Sequence, residues 1–281
     1  MQQLDAHRSP APLDLDELQF NADLLTALDA ISTLQSSTLE RTLSVRLFGD
    51  SQRVESLRRS VLTVLRRFNA QAVTFMNDDD AVLRAHFLER VPEYVPLAGP
   101  LVLRVNRAGV NLSTFVPSVA LSAAMLRQAE VVSCGAMSVI TVENATSFNE
   151  LAAVRSASAL LVYIAGFASP TIIKLLQAIR DIEPSIQFRH WGDLDVGGLR
   201  ILVHLRRHLD AVRPLAMDSR TFERHRINAQ PITQRERESL RSLGGLELLA
   251  DCGPLIDSLL AAGQKLEQEA VSPQFVISLL A

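Results

Sequence analysis

The hydrophobic rhythm of the chain changes partway along its length. From about residue 135, apolar runs of strand length alternate with amphipathic segments of helical period. MSVITVE (137–143), ALLVYIAGF (159–167), SIQFRHWGD (185–193) and RPLAMD (213–218) predict strands. Between them SFNELAAVRSA (147–157), SPTIIKLLQAIRDI (169–182) and GGLRILVHLRRHLD (197–210) predict helices, the second with Pro170 in its first turn. This alternation predicts an α/β domain, a Rossmann-like and mostly parallel sheet with helices on both faces. Helical signals resume after Gln234 and continue to the end.

The first half is less regular. Leu18, Leu24, Leu25, Leu28 and Ile31 recur at helical spacing and predict a helix to about Leu34. LSVRLFG (43–49) has the look of a strand. SQRVESLRRSVLTVLRRF then predicts a basic helix opened by Asp50 or Ser51, with Val54, Leu57, Val61, Leu62 and Leu65 on its apolar stripe. A short strand near Ala72–Phe75, an acidic turn NDDD and a helical piece to about Arg90 follow. LVLRVN and GVNLSTF predict a hairpin turning through Arg107-Ala108-Gly109, and a helix is expected over Ser118–Gln128. The expected organisation is a leader (1–15), an N-terminal α+β domain for DNA or partner binding, a winged-helix form among its options (16–134), and the α/β domain with C-terminal helices (135–281).

Composition narrows the classes. The 281 residues are 48% apolar and 21% charged with a net charge of −3, which excludes disorder and a generic polyanion binder. Cys134 and Cys252 form neither a metal-ligand spacing nor a disulfide framework. The polar, acidic start resembles no signal peptide, and no apolar run reaches membrane-spanning length, so a cytoplasmic protein without a membrane partner is expected. Lys174 and Lys265 are the only lysines, so the positive charge is nearly all arginine, as a GC-rich genome would also produce.

Chemistry concentrates at the strand ends. Glu143 closes one predicted strand, and Asp193 and Asp195 close another. Loops at the carboxyl ends of a parallel sheet form its ligand crevice. Residues two apart in extended chain point the same way, so the two aspartates converge, and a hard cation such as Mg²⁺ would relieve their repulsion. Gly197 and Gly198 allow a tight turn into the next helix. A D-x-D alone is more often only a capped turn than a metal site; the coincidence of three acidic strand ends strengthens the metal reading.

These residues carry a resemblance. Glu at one strand end, then D-x-D, glycine and a helix at a later one, resembles the Toprim metal-dependent DNA-cleavage domain. VENATSF (142–148), YIAGFASP (163–170), HWGDLDVGGLRIL (190–202), MDSRTFERH (217–225) and KLEQEAV (265–271) are similar, in that order, to the Toprim region of the JetD family of Wadjet anti-plasmid systems. LFGDSQRVESL (47–57) resembles that family's N-terminal segment, although its members usually carry further N-terminal elements. The resemblance implies a metal-dependent DNA endonuclease using Mg²⁺ or Mn²⁺. Asp193 and Asp195 would be ligands, Glu143 a ligand or general acid/base, and Glu269, with Glu267 beside it, an added carboxylate. It further implies double-stranded circular plasmid DNA as substrate, an SMC-like condensin complex as partner, and a homodimer. Tyr94 and Tyr163, the only tyrosines, lack the setting of a covalent tyrosyl nucleophile.

Arg53, Arg58 and Arg59 on the basic helix, and Arg200 after the glycines, are candidate DNA-backbone contacts, with a solvated charged face as the alternative. His190 and Trp191 are expected to pack, and His204 and His208 to be surface residues. Two other functions stay open: a haloacid-dehalogenase-like phosphatase, since DLDVG resembles its D-x-D-x-T/V motif, and a non-catalytic DNA- or complex-binding subunit.

Overall fold

The computed structural model describes residues 11–14, 16–68, 79–209 and 211–280, and it divides into compact units at 93/94. Most of the predicted leader and the expected strand at 72–75 lie outside the described residues. In the first unit, helix α1 (Leu18–Ser32) and helix α2 (Glu40–Phe48) pack against helix α3 (Arg53–Phe68), which also meets α4 (Asp79–Ala85). Two-residue strands β1 (Thr38–Leu39) and β2 (Leu88–Glu89) pair in parallel. Leu24, Ala27 and Ile31 of α1, Leu43 of α2, and Val54, Leu57, Val61 and Leu62 of α3 are buried together as its core.

The strand expected at 43–49 is instead α2. Ser44, fully buried, donates to the Asp50 carbonyl at 2.5 Å and accepts from the Val54 N–H at 3.0 Å, tying the helix to the start of α3. Gly49, at φ 68°, ends it in the left-handed conformation that glycine adopts without strain.

In the second unit, strands β3 (Tyr94–Ala98), β4 (Leu101–Val105), β5 (Ala108–Asn111), β6 (Val119–Ser122), β7 (Glu130–Cys134), β8 (Ser138–Val142), β9 (Ala159–Tyr163), β10 (Gln187–Trp191) and β11 (Arg213–Pro214) make two sheets. The six-stranded sheet runs β11-β10-β8-β9-β3-β6, parallel from β11 to β9 and antiparallel at β3 and β6. The mixed, mostly parallel α/β sheet is therefore as expected. The rhythm of the sequence changes at 135, but this unit starts earlier, because β3 and β6 extend the same sheet. The hairpin belongs here too, in the small sheet β5-β4-β7. Its turn is Asn106-Arg107, both at positive φ (49° and 71°) as a type I′ turn requires, so Ala108 and Gly109 are already strand. The helix expected over 118–128 is half strand: β6 pairs with β3, and Ser122 then caps the short helix α5 (Ala123–Gln128).

Between the parallel strands lie helices α6 (Ala145–Val154), α7 (Pro170–Ile182) and α8 (Val196–His208). Val139, Ile140 and Val142 of β8 and Leu160, Leu161 and Val162 of β9 have no exposed surface, as strands covered on both faces require. From β8 the chain crosses through α6 to β9 on one side, then through α7 back past β8 to β10. With right-handed crossovers the two helices fall on opposite faces, and the β8/β10 boundary is the switch point where the following loops part. Beyond α8 come α9 (Ser219–His225), β12 (Gln230–Pro231), α10 (Gln234–Gly244), α11 (Gly253–Ala262), β13 (Gln264–Lys265) and α12 (Pro273–Ser278), with β12 and β13 antiparallel.

Candidate metal centre

Glu143 and the D-x-D leave the sheet side by side at this switch point. Val142 is in register with Trp191, the Glu143 N–H donates to the Trp191 carbonyl at 3.2 Å, and the Asp193 N–H donates to Glu143 Oε2 at 3.1 Å. Asp195 caps α8, its Oδ1 accepting from the Gly198 N–H at 2.9 Å. Two glycines make this approach feasible. A Cβ on Gly198 would lie 2.1 Å from the Asp193 carbonyl oxygen, and one on Gly192 would lie 2.5 Å from Glu143 Oε2.

The C-terminal segment closes the site. Leu194 and Leu266 exchange backbone hydrogen bonds of 2.8 and 3.2 Å, which seats residues 267–269 beside the D-x-D. Asp193, Glu267 and Glu269 each place a carboxylate oxygen within 4.8 Å of the others. Asn144 Nδ2 donates to Glu269 Oε1 at 2.6 Å. A cation beside these acids is Lys265, whose Nζ lies 3.2 Å from Glu236 Oε1 and 3.8 Å from Glu267 Oε1.

Crowding shows in the proton affinities. Burial, then the charge of Asp193, pushes the Glu143 carboxyl up to about 8. Burial, then the charge of Asp195, pushes Asp193 up to about 7, against the pull of the Gln268 N–H. The donors are hard carboxylate oxygens whose mutual repulsion a divalent cation would lift, so these residues fit Mg²⁺ or Mn²⁺.

Below the acids, His190 is fully buried, and burial drops its imidazole to about 3, so it is neutral. Thr141 Oγ1 donates to the Arg189 carbonyl at 3.2 Å and meets His190 Nδ1 at 3.0 Å. His190 Nε2 and Trp191 Nε1 are buried without hydrogen-bond partners among the described residues.

The remaining predicted residues divide. Arg200, half-buried on α8, has its guanidinium lowered by burial and by the nearby charge of Arg235, and makes no ion pair among the described residues. Arg53 is bound to Asp23 at 2.6 Å and Arg58 to Glu40 through bonds of 3.0 and 2.6 Å, so both guanidinia serve the first unit's interior. Arg59 is exposed with no ion pair among the described residues. His204 is not a surface residue: it is buried, bonded to the Ala168 carbonyl at 2.9 Å and edge-on to Phe167, while His208 is exposed. Tyr163 packs on Phe148, and Tyr94 is an exposed residue of β3 rather than of a loop. Sequence reasoning missed Gln268 and Asn144. Both flank acidic residues already singled out, and that adjacency was the available signal.

Fold and site together define an α/β domain with a carboxylate centre at its topological switch point. Residues 98–280 match the family described as Wadjet protein JetD, C-terminal, and the chain belongs to that family. Over 277 residues, 96% of its length, it is 23% identical to "Wadjet protein JetD" of Bacillus cereus (strain Q1). The chain spans 66% of that relative's length. No helix among the described residues is long and apolar enough to cross a membrane.

Proposed function

We propose that this chain carries the metal-dependent DNA endonuclease centre of a Wadjet-type plasmid defence system. The observation that carries the reading is the junction of Glu143 with Asp193 at the switch point, inside the stretch that matches the JetD family. Asp193, Glu267 and Glu269 would hold Mg²⁺ or Mn²⁺ together with Asp195, and Glu143 would be a further ligand or the general acid/base. When bound, such an ion supplies positive charge against the scissile phosphate and leaving oxygen.

The chain's own groups supply the rest. Glu143 Oε2 is fixed by the Asp193 N–H, which leaves Oε1 to take a proton from an attacking water or return one. Arg200, half-buried and near Asp195, orients a backbone phosphate. Arg59 offers a further phosphate contact from the first unit. The substrate is double-stranded circular DNA delivered by an SMC-like condensin complex, and a homodimer would set one such centre against each strand.

The test is nicking of supercoiled plasmid by the purified chain, alone and with the condensin-like complex, in Mg²⁺ or Mn²⁺. Cleavage that Asp193→Ala abolishes without loss of folding supports the reading. Cleavage persisting in a folded Asp193→Ala/Asp195→Ala variant sinks the site. Turnover of a simple phosphomonoester through a trapped phospho-aspartate would favour a phosphatase instead.

A further inference from the structure

Gln268 has no exposed surface, although it sits between two acidic residues at the end of a segment far from the D-x-D in sequence. Its backbone N–H donates to Asp193 Oδ1 at 2.7 Å. Its carboxamide oxygen accepts from the Asn144 N–H at 2.9 Å, and its carboxamide nitrogen donates to the Trp191 carbonyl at 3.0 Å. One side chain therefore bridges the ends of β8 and β10 where they part, while its backbone holds a carboxylate of the site.

This arrangement meets an electrostatic difficulty. Asp195, Glu267 and Glu269 all act on Asp193, and Asp193, Asp195 and Glu267 all act on Glu143. Like charges of this density push residues 267–269 away from the sheet. Lys265 is shared with Glu236, so it answers little of that repulsion. What holds the segment in are hydrogen bonds from uncharged donors: the Leu194–Leu266 pair, the three bonds of Gln268 and the Asn144 carboxamide on Glu269. A carboxamide suits the position because it donates to one strand end and accepts from the other, which neither an ionised Glu nor Met can do.

We propose that Gln268 is a positioning residue of the acidic centre, docking the 267–269 segment so that Glu267 and Glu269 reach a cation shared with Asp193. This rests on the cation reading of the site. With Asp193 Oδ1 occupied by the Gln268 N–H, Oδ2 is the oxygen left for the ion. Cation binding and docking of the segment are then one linked event: each strengthens the other.

The test is calorimetric titration of the full chain with Mn²⁺, with Gln268→Met and Gln268→Glu beside wild type. Loss of a hydrogen bond that orients metal ligands lowers affinity about 10- to 100-fold, the result expected for both variants. Wild-type affinity in a cooperatively melting variant overturns the proposal, even where its Tm has dropped, since that is the signature of packing alone. A second measurement needs no variant: amide hydrogen exchange over 264–270 in wild type should slow on saturation with Mn²⁺. Unchanged exchange there overturns the docking role although the ion binds. Wild type that takes up no Mn²⁺ overturns the cation reading and this inference with it, a result distinct from the other two.

Discussion

Glu143 and Asp193, fifty positions apart in sequence, are joined by a 3.1 Å hydrogen bond from the Asp193 N–H to Glu143 Oε2. The bond fixes the orientation of one carboxylate against the next, and burial makes the proximity of their charges felt. Both carboxyls are raised, to about 8 and about 7, whereas in the unfolded chain they ionise in the ordinary carboxylate range. A raised carboxyl favours folding below its unfolded pKa, and that contribution is lost as pH rises through the folded value. The metal-free protein should therefore lose thermal stability between about pH 4 and pH 8. Asp193→Asn should flatten that slope, and so should saturating Mg²⁺. Scanning calorimetry across the range decides it: equal slopes for wild type and Asp193→Asn would show that these carboxyls are not strained.

The two glycines after the D-x-D should behave differently. At Gly198 an added Cβ meets the carbonyl oxygen, carbonyl carbon and nitrogen of Asp193 within 3.0 Å, all backbone, so nothing nearby can swing aside. Gly198→Ala should lower stability by about 1–3 kcal/mol, the range for overpacked sites, and should weaken Mn²⁺ binding by shifting Asp193. At Gly197 the nearest atom is the Asp195 carboxylate oxygen at 3.1 Å, and alanine's helix preference offsets the contact. Gly197→Ala should stay within about 1 kcal/mol of wild type. Urea unfolding of both variants checks the contrast, and equal losses would refute it.

The parts that were legible from sequence share a physical cause. Strands β8 and β9 are buried on both faces, and that writes the continuous apolar runs SVITV and ALLVY into the chain. The acidic strand ends stood out because a carboxylate after such a run is conspicuous. The first half was harder. LSVRLF has few local signals against a strand, and what makes it a helix is Ser44 bonding across to Asp50 and Val54. Val119–Ser122 is a strand because β3 lies beside it, a partner separated by some twenty-five residues. Gln268 carried only its place between two acids as a signal: glutamine announces no chemistry, and its three partners lie 75 to 124 positions away.

The basic helix α3 is where charge and role come apart. Its arginines look alike in sequence, yet Arg58 forms a two-bond pair with Glu40, which is only 3% exposed, while Arg59 faces solvent. Hydrogen bonding to Glu40 leads the causes that raise the Arg58 guanidinium, ahead of the burial that opposes them. Arg58→Ala would leave a buried carboxylate alone, a change that destabilises by about 3 kcal/mol at the lower end for broken buried pairs, fitting because Arg58 keeps some exposure. Arg59→Ala should move stability by no more than about 0.5 kcal/mol. In return it should reduce the salt dependence of DNA binding by about one counterion while leaving sequence preference unchanged. Denaturant unfolding and a salt titration of DNA affinity separate the two. If Arg58→Ala unfolds at wild-type denaturant and instead loses DNA, the guanidinium serves the ligand rather than the fold, and the Glu40 pair carries no weight in stability.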